Sequence, residues 1–192
     1  MRMPKAARFL AAAGVATLLP VAFASDAHAA TSVGIYALYN NSTGKCADLP
    51  NFGWNPADTP VTQYTCTLGS GDNQMWDMQQ TRTVNGLALF QFVNVKSGYC
   101  LDLPDYGAVP AGTRLSTYAC STDPAADNQE WYLNDVTLDG GYEIINYQDN
   151  LCLDVAGLAR FGTDRADDLP LTVYTCYTTA DGYDDHIWRF LN

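Results

Sequence analysis

Basic residues, histidines and helical patterns are all scarce in this chain. Ten lysines and arginines stand against twenty-one aspartates and glutamates, which gives a net charge of −11. Nucleic acids, heparin and anionic membranes each need a positive footprint on a protein, so this balance argues against all three as partners. Only two histidines occur and no C-x-x-C pair is present, so a zinc site lacks its usual ligands. We therefore expect no metal and no cofactor.

Long apolar runs are confined to the N-terminus. Three basic residues precede an apolar stretch from Leu10 to Phe23, and an A-x-A cleavage pattern ends at Ala29. This order is typical of a signal peptide, so we expect residues 1–29 to be removed and the mature protein to be secreted and extracellular. The stretch is shorter than the ~20 residues of a spanning helix, so we expect no membrane insertion. The mature chain then keeps seven basic and twenty acidic residues, a net charge of −13.

Helical periodicity is also missing, because no stretch of ten residues after the leader shows a 3.6-residue period. β-Rich runs stand instead at 34–39, 87–93 and 141–147, each followed by a short turn and a strand that contains cysteine. This hairpin spacing predicts an all-β chain of three equivalent units with four short strands each. No glycine-, serine- or proline-rich linker separates the units, so we expect one domain over 30–192.

Three motifs recur in the same order along the mature chain. They are Cys-x-Asp, Tyr-x-Cys and a tryptophan after a polar run, and the first cysteines of the copies are 54 and 52 residues apart. A fixed period of this size indicates a repeat architecture. It divides the domain at about 31–84, 85–138 and 139–192.

The six cysteines all lie in the mature part, two in each repeat. In an exported protein this arrangement predicts a disulfide framework. Six cysteines allow fifteen pairings, and the threefold repeat favours the one that places a bridge inside each copy. The expected bridges are Cys46–Cys66, Cys100–Cys120 and Cys152–Cys176.

The repeated aspartates and tyrosines each have two interpretations. Asp48, Asp102 and Asp154 follow the first cysteine by two residues, and each either accepts backbone N–H groups in a turn or accepts sugar hydroxyls. The tyrosine two residues before the second cysteine either packs in the core or forms a platform for a pyranose ring. The disulfide brings the acid and the ring together, and aliphatic residues already supply the core. We therefore favour a sugar pocket.

The tryptophans and the residues before them form the third repeated element. Trp76, Trp131 and Trp188 are large and equivalent, so we expect them to anchor the core. An Asn-Gln pair precedes the first two of them. The asparagine can donate to a sugar oxygen or cap a turn, and the glutamine is placed to brace the loop that carries the aspartate.

Together, these motifs closely resemble the ricin B-type lectin domain, which is also seen in family 13 carbohydrate-binding modules. The resemblance covers the mature chain and implies a β-trefoil, a six-stranded barrel capped by three hairpins, with one sugar pocket per repeat. It implies that the aspartate, the tyrosine and the asparagine contact the sugar, and that the glutamine supports the aspartate. The matching residues are Asp48, Tyr64, Asn73 and Gln74 in the first copy and Asp102, Tyr118, Asn128 and Gln129 in the second.

The third copy departs from this pattern. It keeps Asp154 and Tyr174 but has Asp185 and His186 where the resemblance expects Asn-Gln. A second carboxylate in place of an amide removes a donor and adds a like charge. We expect this site to be inactive, pH-dependent through His186, or different in specificity.

The sequence therefore predicts a secreted carbohydrate-binding protein, a lectin for galactoside- or xylan-type glycans, that is not an enzyme. No nucleophile elbow, zinc helix or P-loop is present. The alternative is a protein-binding trefoil, such as a protease inhibitor or a toxin-associated subunit, since one fold supports many functions. The two differ in whether the aspartate and tyrosine of each repeat face a shared open pocket.

Overall fold

A computed structural model describes residues 30–136, 140–157, 161–177 and 185–192. The predicted signal peptide, residues 1–29, and the expected start of the third repeat at residue 139 lie outside the described residues. Within these ranges no helix is long and apolar enough to span a membrane.

Strands dominate the regular structure of the described ranges, which confirms the all-β prediction. Each of the twelve predicted strands is found, and two further strands of two residues, β3 and β8, stand beside them. The strands in these ranges are β1 (Thr31–Asn40), β2 (Cys46–Asp48), β3 (Thr59–Pro60), β4 (Thr62–Tyr64), β5 (Met75–Val84), β6 (Leu87–Asn94), β7 (Cys100–Asp102), β8 (Thr113–Arg114), β9 (Ser116–Tyr118), β10 (Trp131–Asp135), β11 (Tyr142–Asn146), β12 (Leu151–Val155), β13 (Leu171–Thr175) and β14 (Ile187–Leu191). A 3-10 helix, Pro124–Ala126, precedes β10.

Six of these strands close into an antiparallel barrel. β1 pairs with β5 and β14, β6 pairs with β5 and β10, and β11 pairs with β10 and β14. Because every barrel strand has two neighbours, the barrel leaves no strand edge open to pairing with another chain. The remaining hairpins β2–β4, β7–β9 and β12–β13 extend from β1, β6 and β11. This is the barrel and three-hairpin arrangement of a β-trefoil.

A ring of three backbone hydrogen bonds joins the hairpins to one another. The N–H of Val61 donates to the carbonyl of Leu115 (3.1 Å), that of Leu115 to Leu171 (3.0 Å), and that of Leu171 to Val61 (2.9 Å). Val61 falls between β3 and β4, and Leu115 falls between β8 and β9. Neither is part of a strand, because its N–H group joins this ring rather than the ladder of one partner strand. The two additional short strands are the consequence.

The three predicted tryptophan anchors are fully buried in the core, which confirms their structural interpretation. The indole N–H of Trp76 donates to Ala47 O (3.4 Å) and that of Trp188 to Leu153 O (2.9 Å), so these polar atoms are satisfied inside the core. Truncating a buried tryptophan to alanine typically costs about 3–5 kcal/mol, so each ring is a large contribution to the fold.

Each repeat is closed by its own disulfide, as predicted. The bridges Cys46–Cys66, Cys100–Cys120 and Cys152–Cys176 join Cα atoms 5.1, 4.9 and 5.1 Å apart. By the loop-entropy account, a bridge over a loop of this length stabilises the fold by about 3 kcal/mol. The bridges also hold the second and third strands of each repeat together, and those strands carry the aspartate and the tyrosine.

Three buried asparagines join neighbouring repeats, and the sequence analysis did not identify them. The side-chain amide of Asn94 donates to Asn73 O in the preceding repeat (2.6 Å), and Asn146 donates to Asn128 O (2.6 Å). Asn40 makes the equivalent bond to Asp185 O. The signal was present in the sequence, since each of these asparagines precedes the first cysteine of its repeat by six residues.

Candidate carbohydrate-binding pockets

The aspartate and tyrosine of each repeat lie on one face of its hairpin, which is β2–β4, β7–β9 or β12–β13. In the first repeat, Cys46 pairs with Tyr64 and Asp48 pairs with Thr62. Directly opposed residues in an antiparallel pair point to the same side, so Asp48 and Tyr64 are diagonal neighbours. The second and third repeats have the same register, with Asp102 opposite Ser116 and Asp154 opposite Thr172.

The tyrosine rings are at the surface, whereas the carboxylates lie beneath it. Tyr64, Tyr118 and Tyr174 are 40%, 43% and 45% exposed. Asp48, Asp102 and Asp154 are 5%, 7% and 8% exposed. Three equivalent tyrosines of equal, large exposure are not core residues, so the core interpretation of these rings is excluded. What remains in each repeat is a recessed acid beside an open aromatic face.

A glutamine lies behind the carboxylate in the first two repeats. Gln129 donates from Nε2 to Asp102 Oδ1 (2.8 Å) and to Ala119 O (3.1 Å), and its Oε1 accepts from the N–H of Ser121 (2.8 Å). In the first repeat Gln74 is hydrogen-bonded to Asp48 and is held by Thr65 and Thr67 in the same way. Each glutamine therefore fixes the carboxylate and clamps the chain around the second cysteine.

The asparagines before these glutamines are fully buried under the loop that follows the aspartate. Asn73 donates from Nδ2 to the carbonyls of Asn51 (3.2 Å) and Gly53 (3.3 Å), and Asn128 donates to those of Asp105 (3.4 Å) and Gly107 (3.0 Å). This placement differs from the direct sugar contact that the sequence resemblance implies. The physical reason is that a fully buried amide needs hydrogen-bond acceptors, and the carbonyls of this loop supply them.

Comparison with known proteins agrees with this architecture. The model of the ricin-type beta-trefoil lectin domain-like family matches residues 23–118 and 72–167. The chain belongs to this family. No curated protein sequence matches this chain. Membership in a lectin family supports carbohydrate binding in general.

Several solved structures are similar to the chain in fold. The designed threefold-symmetric protein ThreeFoil is 23% identical with a TM-score of 0.64, over 82% of this chain and 98% of that one. The Rhizoctonia solani agglutinin is 22% identical with a TM-score of 0.60, over 83% and 94%. The C-half of the earthworm R-type lectin, in complex with GalNAc, is 11% identical with a TM-score of 0.53, over 81% and 98%. At these identities the likeness shows the β-trefoil fold alone.

The first two candidate pockets hold carboxyl groups with perturbed pKa values. Burial raises the pKa of Asp48 and of Asp102 to about 7, and the hydrogen bond from the paired glutamine keeps each pKa below the value that burial alone would produce. Neighbouring carboxylates act in the same direction as burial. They include Asp168 beside Asp48 and Asp58 beside Asp102.

Those two neighbouring acids come from a different repeat than the pocket they adjoin. Asp58, Gly112 and Asp168 occupy equivalent turns, with φ of 61°, 86° and 63°, and each donates its N–H to the residue just before the next repeat's tyrosine. Each pocket is therefore built at a junction of two repeats. The first and second pockets receive a carboxylate from this turn, and the third receives a glycine.

The third pocket replaces the glutamine brace with histidine. His186 Nε2 is 3.0 Å from Asp154 Oδ1, and the hydroxyl of Thr172 donates to the other oxygen of the same carboxylate. Tyr177 stacks on the imidazole, with ring centroids 6.1 Å apart. Ligand atoms of Asp154, Asp185 and His186 all lie within 4.8 Å of one another, an arrangement that can hold a metal ion. Sugar binding here stays a prediction.

Proposed function

We propose that this protein is a secreted lectin that binds galactoside- or xylan-type glycans non-covalently and has no catalytic activity of its own. The observation that carries the proposal is the open Asp–Tyr pair in each repeat, with a buried acid beside a ring that is at least 40% exposed. One chain has up to three such pockets, and in those of Asp48 and Asp102 a glutamine braces the carboxylate.

The chemistry of these pairs fits a pyranose. A fixed carboxylate accepts two neighbouring hydroxyls through charge-assisted hydrogen bonds, which are about twice as strong as neutral ones. The tyrosine face beside it packs on the C–H groups of the same sugar. In a shallow pocket the cost of desolvating the carboxylate and the hydroxyls offsets much of this binding energy, so one pocket binds weakly. Linked pockets on a polysaccharide gain ~10² or more in avidity without any new contact.

The alternative, a protein-binding trefoil, is less well supported. That function does not require an exposed aromatic ring beside a buried acid in three equivalent places. The relative in complex with GalNAc shows that a trefoil of similar fold binds a sugar, which supports the proposal for this chain without deciding its ligand. The net charge of −13 on residues 30–192 favours neutral glycans over anionic ones.

The test is glycan-array screening followed by binding titration of three variants. Asp48→Ala and Asp102→Ala should each leave the thermal unfolding midpoint near wild type and weaken binding to a responsive polysaccharide. The double variant should lose most of the avidity. Asp135→Ala is the matched control, because it removes an exposed carboxylate outside the pockets.

Wild-type affinity in both single variants and the double variant would assign these carboxylates a purely structural role. Absence of binding to any glycan, with capture of a defined protein partner instead, would support the alternative.

A further inference from the structure

The loops that follow Asp48 and Asp102 each present an aromatic side chain largely to solvent at the same position, and the first loop also presents Trp54, which is 64% exposed. Phe52 is 69% exposed in the loop after Asp48, and Tyr106 is 71% exposed in the loop after Asp102. Each lies four residues beyond its aspartate. A single exposed aromatic residue needs no explanation. Two at the same position of two repeats, on loops of different sequence, do.

The same buried amide holds both loops in shape. In the first repeat, the carbonyls immediately before and after Phe52 both accept from the Asn73 side chain. In the second repeat, the carbonyls on either side of Tyr106 accept from Asn128 in the same way. Since the backbone is tied down on both sides of the ring, the side chain at the centre is directed away from the protein.

Backbone conformation reinforces this presentation. The residue before each ring, Asn51 or Asp105, has a left-handed conformation with φ of 68° or 65°. Asparagine and aspartate tolerate this conformation better than other non-glycine residues do. In the first repeat the loop is also anchored at its start, where the N–H of Leu49 donates to Asn73 Oδ1 (3.3 Å). Hydrogen bonds therefore fix the shape of each loop, and we call the loop with its exposed ring the platform.

The platform lies within reach of the pocket. Four residues of extended chain span at most about 14 Å, which bounds the distance from the Asp48 Cα to the Phe52 Cα. The primary pocket already has its own ring, Tyr64, for the first sugar. A second exposed ring within about 14 Å of the aspartate is available to a further sugar residue of a chain.

We propose that Phe52 and Tyr106 form a second subsite in the first and second pockets, which packs on a further sugar residue of an oligosaccharide. These two pockets then recognise a stretch of glycan chain rather than one terminal sugar. Asn73 and Asn128 are positioning residues for this subsite. The inference rests on the proposed lectin function and names the form of its ligand.

The third repeat differs in the group that holds the loop. Asp185 stands in place of the asparagine, and a carboxylate has no N–H to offer to loop carbonyls. Its exposed aromatic residue, Phe161, is 69% exposed but lies seven residues beyond Asp154 rather than four. Phe161 is therefore the matched control, equal to Phe52 in residue type and exposure but not placed on an equivalent loop.

The experiment compares a monosaccharide with its own oligosaccharides, chosen as ligands of the wild-type protein on a glycan array. Phe52→Ala, Tyr106→Ala and the double variant are titrated calorimetrically with both. The monosaccharide Kd should stay at the wild-type value. The oligosaccharide Kd should rise about 2- to 12-fold per removed ring at its pocket, the range expected for one aromatic packing contact. Phe161→Ala should leave both unchanged.

A double-mutant cycle tests the positioning residue. Asn128→Asp puts a carboxylate under the second loop, as Asp185 does in the third repeat. The variant should weaken oligosaccharide binding as Tyr106→Ala does. Adding Tyr106→Ala to Asn128→Asp should then cause no further loss, because the ring is no longer held. Independent, additive losses would overturn the positioning role.

Three results overturn the subsite. They are unchanged oligosaccharide affinity in the double variant, equal loss of monosaccharide and oligosaccharide affinity, and an equal loss caused by Phe161→Ala. Failure of the lectin function itself looks different, because the wild-type protein would then bind no glycan and the subsite would fall with it.

Discussion

Acidification should weaken sugar binding at the first two pockets. Both candidate pockets contain a carboxylate whose folded-state pKa is about 7 because it is buried. Only the ionised form accepts two hydroxyl donors at once, and a protonated carboxyl must spend one oxygen as a donor. Binding that depends on Asp48 or Asp102 should therefore be strongest above pH 7 and decline below it.

The magnitude follows from the pKa. With a pKa of about 7, roughly 90% of the carboxyl groups are ionised at pH 8, about 10% at pH 6 and about 1% at pH 5. The apparent Kd should then rise about tenfold for each pH unit below 7, which corresponds to about 1.4 kcal/mol per unit. Between pH 8 and pH 5 the total loss approaches 100-fold per pocket.

Acidification should increase folding stability through the same two carboxyl groups, although it weakens sugar binding. The folded protein holds these protons up to about pH 7, whereas an unfolded aspartate releases them near pH 3.8. The folded state thus binds more protons between these values, so these two residues lower the free energy of unfolding as pH rises from about 4 to 7. Above pH 7 their contribution is constant.

Two measurements check this reasoning, a carboxyl-carbon NMR titration and a titration of glycan affinity at several pH values. Carboxyl-carbon NMR titration should show two aspartates that titrate near pH 7, and Gln129→Leu should move one of them higher by removing the bond to Asp102. Asp167 is an internal reference, because the hydrogen bond from Lys45 lowers its pKa. Titration of Asp48 and Asp102 near 4 would refute the burial argument. Carboxyls that titrate near 7 with pH-independent glycan affinity would refute their role in binding.

Two further predictions concern the junctions between repeats. Asn94→Ala should lower the free energy of unfolding by about 1–3 kcal/mol for each buried group it leaves unpaired, whereas Asn41→Ala, on the exposed surface, should change it little in urea unfolding. Arg82→Met should cost about 3–5 kcal/mol, because the buried carboxylate of Glu130 loses its ion-pair partner across the repeats. Lys45→Met, which breaks a more exposed pair, should cost at most about 1 kcal/mol, and equal losses in the two variants would contradict the burial argument.

Local patterns in the sequence were enough to predict the repeat, its strands and its bridges. Strand side chains alternate with a period of two, so the spacing of Cys46 and Asp48, and of Tyr64 and Cys66, already assigns each pair to one face. Threefold repetition then selects one disulfide pairing of fifteen. The tryptophan anchors follow from size and equivalence. None of these inferences requires knowledge of which repeat touches which.

Features that depend on contacts between repeats could not be predicted in this way. The acids Asp58 and Asp168 reach a pocket of another repeat because the three hairpins close into a ring, and Asn94 donates across a junction for the same reason. The sequence motif is the same whether its tyrosine is buried or exposed, so the sequence alone did not determine the exposure of Tyr64. The packing of the barrel and hairpins determines it. Burial is a property of the whole assembly of strands rather than of any one segment. The sequence by itself therefore determined the chemistry available in each repeat, and the tertiary structure decided which of those groups lie buried, braced or open to a ligand.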